Sequence, residues 1–153
     1  MSKWSIDEIL DLAILMEDQS IQIYTSAQDK VVNPGSKEML KTLVIEEKGH
    51  KKRLLNIKEK VKHLEKFSST EKIQDLKISD LLVKESLSAE SGYQEILIFA
   101  AKREKETHDM YVNLAKKYKG SGIENTFLML AQEELKHKYL LEKEYDDNVL
   151  IWM

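Results

Sequence analysis

The sequence predicts an all-α protein, a four-helix bundle, on three observations. Proline occurs once and glycine five times in 153 residues, too few turn residues for a β or α/β chain of this length. Apolar residues recur at a three-then-four spacing over long stretches. The second half of the chain repeats the first. The length amounts to one domain, 1–153, with enough chain to bury a core. The balance of 33% charged to 42% hydrophobic residues is that of an ordinary globular protein.

Each helix has its own start and stop. Ser5-x-x-Glu8 is a capping box that opens the first helix, which runs to about Val32, where Asn33-Pro34-Gly35 breaks it. Ser36 is expected to cap the second helix, whose periodicity continues to about Phe67. Ser91-x-x-Gln94 offers another box, so the third helix is expected from near Ser91 to about Tyr118, ahead of Gly120-Ser121-Gly122. The fourth fills Ile123 to about Tyr145. Between the second and third helices lies a long connection, Ser68 to Glu90. Its apolar pieces, Ile73-Leu76-Ile78 and Leu81-Leu82-Val83, predict a short helix there.

Composition excludes several functions. The 24 basic and 27 acidic side chains leave a net charge of −3, and the lysines are spread evenly, so no basic patch points to nucleic acid. With no cysteine, disulfides, thiolate nucleophiles, iron–sulfur clusters and cysteine-zinc sites are all removed. The first residues lead into Ile6-Asp7-Glu8 without an apolar signal region. The longest uncharged run, Gln19 to Gln28, is too short and too polar to span a membrane. The expectation is a cytoplasmic protein with no membrane contact.

The repeat is the informative feature. An offset of 87 aligns the first helix with the third and the second with the fourth, without a gap. Glu8-Ile9-Leu10 falls on Glu95-Ile96-Leu97, Glu17 on Glu104, Tyr24 on Tyr111, Glu46-Glu47 on Glu133-Glu134, and His50-Lys51 on His137-Lys138. Two duplicated helical hairpins joined by a long crossover make a four-helix bundle.

The core stripes turn acidic at one level. The first helix reads Leu10, Ala13, Glu17, Ser20, Tyr24, Ala27, Val31, and the third Leu97, Ala100, Glu104, Thr107, Tyr111, Leu114, Tyr118. The second reads Leu40, Leu43, Glu47, His50, Leu54, Ile57, Val61, Leu64, and the fourth Phe127, Leu130, Glu134, His137, Leu141. Four carboxylates therefore point into one slab of core, where unpaired charge is prohibitively expensive. Two divalent cations neutralise four carboxylates, and neutral His50 and His137 complete a ligand set without adding charge. Glu47/His50 and Glu134/His137 are Glu-x-x-His motifs, whose spacing puts both side chains on one helix face. His63 lies off its stripe and is expected in solvent. His108, four residues after Glu104, is expected on a flank of the bundle. Glu46 and Glu133, one step off the stripe, are expected to face water or a neighbouring chain.

With those residues the chain resembles the rubrerythrin type of the ferritin-like di-iron carboxylate proteins, from about residue 6 to residue 145. The resemblance implies a ferritin-like bundle holding two iron ions per chain, with manganese or zinc as possible occupants in their place. Glu17, Glu47, His50, Glu104, Glu134 and His137 would be the ligands, Glu47 and Glu134 bridging and Glu17 and Glu104 terminal. Tyr24 and Tyr111 match the family's tyrosines that hydrogen-bond and orient the carboxylates. The implied function is a redox reaction with hydrogen peroxide or dioxygen in a homodimer with an oxidative-stress role. Two departures stand out. Full rubrerythrins carry a cysteine-ligated rubredoxin-like module, which a cysteine-free chain lacks, so electrons would come from a separate donor protein or a small reductant. The family's extra glutamate, three residues after the one on the third helix, is Thr107 here. Ferritin-like iron oxidation and storage, and a metal-free helical scaffold, are the competing readings.

Overall fold

A computed structural model describes residues 3–62, 72–74 and 91–148. It is a bundle of four helices: α1 (Ile6–Ala27), α2 (Pro34–Lys62), α3 (Tyr93–Lys117) and α4 (Glu124–Asn148). The hairpin α1/α2 packs beside the hairpin α3/α4, with α1 also against α3 and α2 against α4. None of the described helices is long and apolar enough to cross a membrane.

The predicted capping box forms at the start of α1. Ser5 Oγ accepts from the Glu8 amide at 3.2 Å and Glu8 Oε1 from the Ser5 amide at 3.0 Å. This helix stops five residues short of expectation, passing at Ala27 into a single 3-10 turn, Gln28–Lys30, before Val31 becomes extended. Ser36 is not the cap of α2. Asn33 Oδ1 accepts from the amides of Gly35 (2.7 Å) and Ser36 (3.2 Å), with Pro34 in the first helical position, where its missing N–H costs nothing. Ser36 Oγ instead donates to Glu144 at 2.5 Å. The Ser91 box is also absent: Gly92 precedes α3 without a side-chain cap, and the Gln94 amide group donates to the Tyr145 hydroxyl at 3.0 Å. Between α3 and α4, Gly120 takes φ +81°, a left-handed conformation that glycine adopts without strain.

Two three-residue strands were not foreseen. Strand β1 (Lys3–Ser5) pairs antiparallel with β2 (Lys72–Gln74), with Trp4 opposite Ile73. Within the connection from Ser68 to Glu90, Lys72–Gln74 form a strand where the apolar piece beginning at Ile73 led to the expectation of helix, because the crossover finds backbone partners there in the segment that leads into α1. The rest of that connection, the continuation of the second helix to Phe67, Leu64 and His63 lie outside the described residues.

The core comes in two pieces. One cluster joins Ile6, Ile9, Leu10, Leu54, Leu114 and Phe127 with their neighbours. The other joins Tyr24, Leu40, Leu43, Leu97, Ala100 and Leu141. On every helix the acidic level falls between the two, so apolar packing seals it from both ends.

Candidate metal centre

The heptad spacing brings one glutamate from each helix, and one histidine each from α2 and α4, into this slab. Glu17, Glu47, His50, Glu104, Glu134 and His137 are each at most 1% exposed. His50 Nδ1 lies 2.7 Å from Glu134 Oε1, 2.9 Å from Glu47 Oε1 and 3.5 Å from Glu17 Oε2. His137 Nδ1 lies 3.3 Å from Glu47 Oε1 and 3.7 Å from Glu104 Oε2. The two imidazoles stack with centroids 5.4 Å apart and planes at 14°. Two four-residue groups result, Glu17/Glu47/His50/Glu134 and Glu47/Glu104/Glu134/His137, each with its ligand atoms within 4.8 Å of one another. Glu47 and Glu134 belong to both.

Each tyrosine crosses the bundle to the glutamate of the other hairpin. Tyr111 OH donates to Glu17 Oε1 at 2.7 Å, and its repeat-mate Tyr24 donates to Glu104 Oε1. Thr107 Oγ1 lies 2.8 Å from Glu134 Oε2, closer than the helix carbonyls of Arg103 (3.0 Å) and Glu104 (3.1 Å) that compete for its single proton. One oxygen of Glu17, Glu104 and Glu134 is thus tied. The remaining oxygens Glu17 Oε2, Glu104 Oε2 and Glu134 Oε1, both oxygens of Glu47, and the Nδ1 atoms of both histidines have no directed hydrogen bond. One imidazole N–H cannot point at three oxygens at once. Buried donor atoms converging on each other without satisfying each other are expensive, and divalent cations held among them would satisfy them. Oxygen and imidazole donors fit iron, manganese or zinc.

Without cations the cluster keeps protons. Burial, then repulsion from Glu134 and Glu47, holds the Glu17 carboxyl well above the ordinary range. Burial, then Glu104 and Glu47, does the same to Glu134, and burial followed by Glu47 raises Glu104. Burial also pushes Glu47 upward, but the close approach of the His137 and His50 rings outweighs it and brings Glu47 down to about 2. Burial opposes charge on the histidines, yet their carboxylate neighbours win: His137 rises to about 11 and His50 moves the same way. The imidazoles are therefore cations in the metal-free cluster, serving as its counter-charge, and would become neutral ligands only if a metal displaced their protons. Burial, then the nearby carboxylates, also keeps both phenols protonated as donors.

Glu46 and Glu133 do more than face water. Both reach the surface, but Glu46 Oε2 bonds the Nε2 of His137 at 3.2 Å, and Glu133 Oε2 lies 3.2 Å from the Nε2 of His50. Each histidine is thus flanked from the opposite helix by an acid that can hold its ring with Nδ1 toward the cluster. Arg53 anchors Glu133 at 2.5 Å. The signal was in the sequence, since this pair repeats at the same offset as the core glutamates. His108 sits on the flank as expected, partly exposed, with Nδ1 3.0 Å from Asp109. Ser20 and Thr107 are both buried at the level of the cluster.

A family model described as Rubrerythrin matches residues 8–145. No curated protein and no solved structure matches the chain significantly.

Proposed function

The chain belongs to the rubrerythrin family, and from that premise we propose that it is a di-iron protein that reduces hydrogen peroxide or dioxygen. The observation that carries this reading is the pair of four-residue groups sharing Glu47 and Glu134. Glu17 and His50 would be the terminal ligands of one iron, Glu104 and His137 those of the other, and Glu47 and Glu134 would bridge. Bound iron would supply the electrons; the chain's own residues hold and shield it. Tyr111 and Tyr24 each pin one oxygen of a terminal carboxylate and leave the other turned to the cluster. Thr107 does this for Glu134. The two apolar clusters keep bulk water from either end. These helices hold no cysteine that could carry a rubredoxin-like iron, and a separate donor protein or small reductant would return the electrons. We place this activity in a cytoplasmic homodimer.

The test is anaerobic reconstitution with ferrous iron, followed by stopped-flow mixing with peroxide and, separately, with oxygen. Two irons per chain, and oxidation by either reagent that continues only with an added reductant, are expected. A chain that takes up no iron sinks the reading. Assembly into a closed shell of many subunits that retains oxidised iron would point to storage instead.

A further inference from the structure

Arg103 is a buried cation with no carboxylate partner among the described residues. It is 6% exposed. Its Nη2 donates to the Met16 carbonyl at 3.1 Å and lies 3.8 Å from Met16 Sδ. The guanidinium stands 5.8 Å over the Phe99 ring, and Nε has no hydrogen-bond partner. Burying a charge on those terms is costly, and the Met16 carbonyl gains little, because a mid-helix carbonyl already serves its own helix. Position matters more. Arg103 immediately precedes Glu104, and the carbonyl it grips belongs to the peptide that joins Met16 to Glu17. Met16 and Arg103 are themselves repeat-mates, 87 residues apart, so the guanidinium reaches from the helix that carries Glu104 to the peptide that leads into Glu17, where the two hairpins meet.

We propose that Arg103 sets the charge of the centre: its fixed positive charge offsets the four carboxylates through low-dielectric core, weakening the hold on cations and favouring the reduced state. It acts through the carboxylates, not on any reacting atom. This rests on the di-metal reading above. The opposite half offers the control, since the equivalent position there is an uncharged methionine.

The experiment compares wild type with Arg103→Met, Arg103→Gln and Arg103→Lys. Gln keeps a donor for the Met16 carbonyl, so it separates charge from packing even where the Met variant folds poorly. Two quantities are measured: Co(II) affinity by titration, and the midpoint potential of the iron-loaded protein. The neutral variants should bind Co(II) several-fold more tightly and show a lower potential, with Lys close to wild type. The potential shift should survive high salt, because a buried charge is little screened. A Gln variant with wild-type potential and affinity overturns the assignment of Arg103 alone. A wild-type chain that binds no Co(II) and no iron overturns the di-metal reading and this inference together.

Discussion

Tyr111, Glu47 and Thr107 test the centre one side chain at a time. Tyr111→Phe leaves Glu17 Oε1 without the donor it has at 2.7 Å, a loss of about 1–3 kcal/mol for a buried acceptor. Urea unfolding of the metal-free protein should show it, and an unchanged midpoint would mean that Tyr111 only fills space. Glu47 is common to both ligand groups, so Glu47→Ala should lower occupancy of both metals. Metal analysis that finds one full equivalent would contradict bridging. Thr107→Glu places a carboxylate at the slot where the family has one, at a site 3% exposed and already bonded to Glu134. Overpacking there costs about 1–3 kcal/mol, but peroxide reduction should speed up relative to wild type. A wild-type rate with both irons bound would show that Thr107 is not the missing-ligand position. His108 is no substitute for it, since its ring is turned to Asp109.

At the scale of elements, α2 rests on a cap that spacing alone misassigned. Asn33 satisfies two of its first amides, so Asn33→Ala should cost about 1 kcal/mol through the helix start. Ser36→Ala acts elsewhere. It removes the donor at 2.5 Å from Glu144, a buried carboxylate that also accepts from Tyr93 at 2.7 Å and Asn148 at 2.8 Å. That network ties the starts of α2 and α3 to the end of α4. Thermal melts of the two variants and their double mutant should give additive losses, since the two hydroxyl and amide partners are separate. Strong coupling would mean that Ser36 shares the capping role after all.

The whole molecule should show the cluster in its pH dependence. Glu17, Glu104 and Glu134 bind protons more tightly folded than unfolded, where the ordinary value is 4.5. Their contribution is complete below that value and is lost as pH rises through the folded ones. His50 and His137 behave alike above 6.5, with His137 losing its contribution only by about 11. Glu47, lowered to about 2, contributes above 4.5 and fades only in acid, so it is flat near neutrality. Metal-free protein should therefore lose stability between about pH 5.5 and about pH 7.5. Metal-loaded protein should gain over it as pH rises, because cations take the place of those protons. Chelated protein that melts higher at the upper pH would count against a crowded acidic core.

The bundle, the level of the centre and its six inward side chains were legible because they are periodic signals. A stripe at heptad spacing names the residues that face the core whatever their partners are, and the offset of 87 states twice that Glu, Tyr, Glu and His share a level. Side chains one step off the stripe are a different problem, since they can turn to either neighbouring helix or to water. Only the packing of α2 against α4 sends Glu46 to His137 and Glu133 to His50. Only the meeting of α1 and α3 lays Arg103 on the Met16 carbonyl. Caps fail for a related reason. Ser36 and Gln94 have the right spacing to cap, but partners 108 and 51 residues away offer their side chains other bonds. Local periodicity determined which face of each helix is buried; tertiary contact decided which polar group each remaining side chain meets, because that depends on atoms that no local spacing encodes.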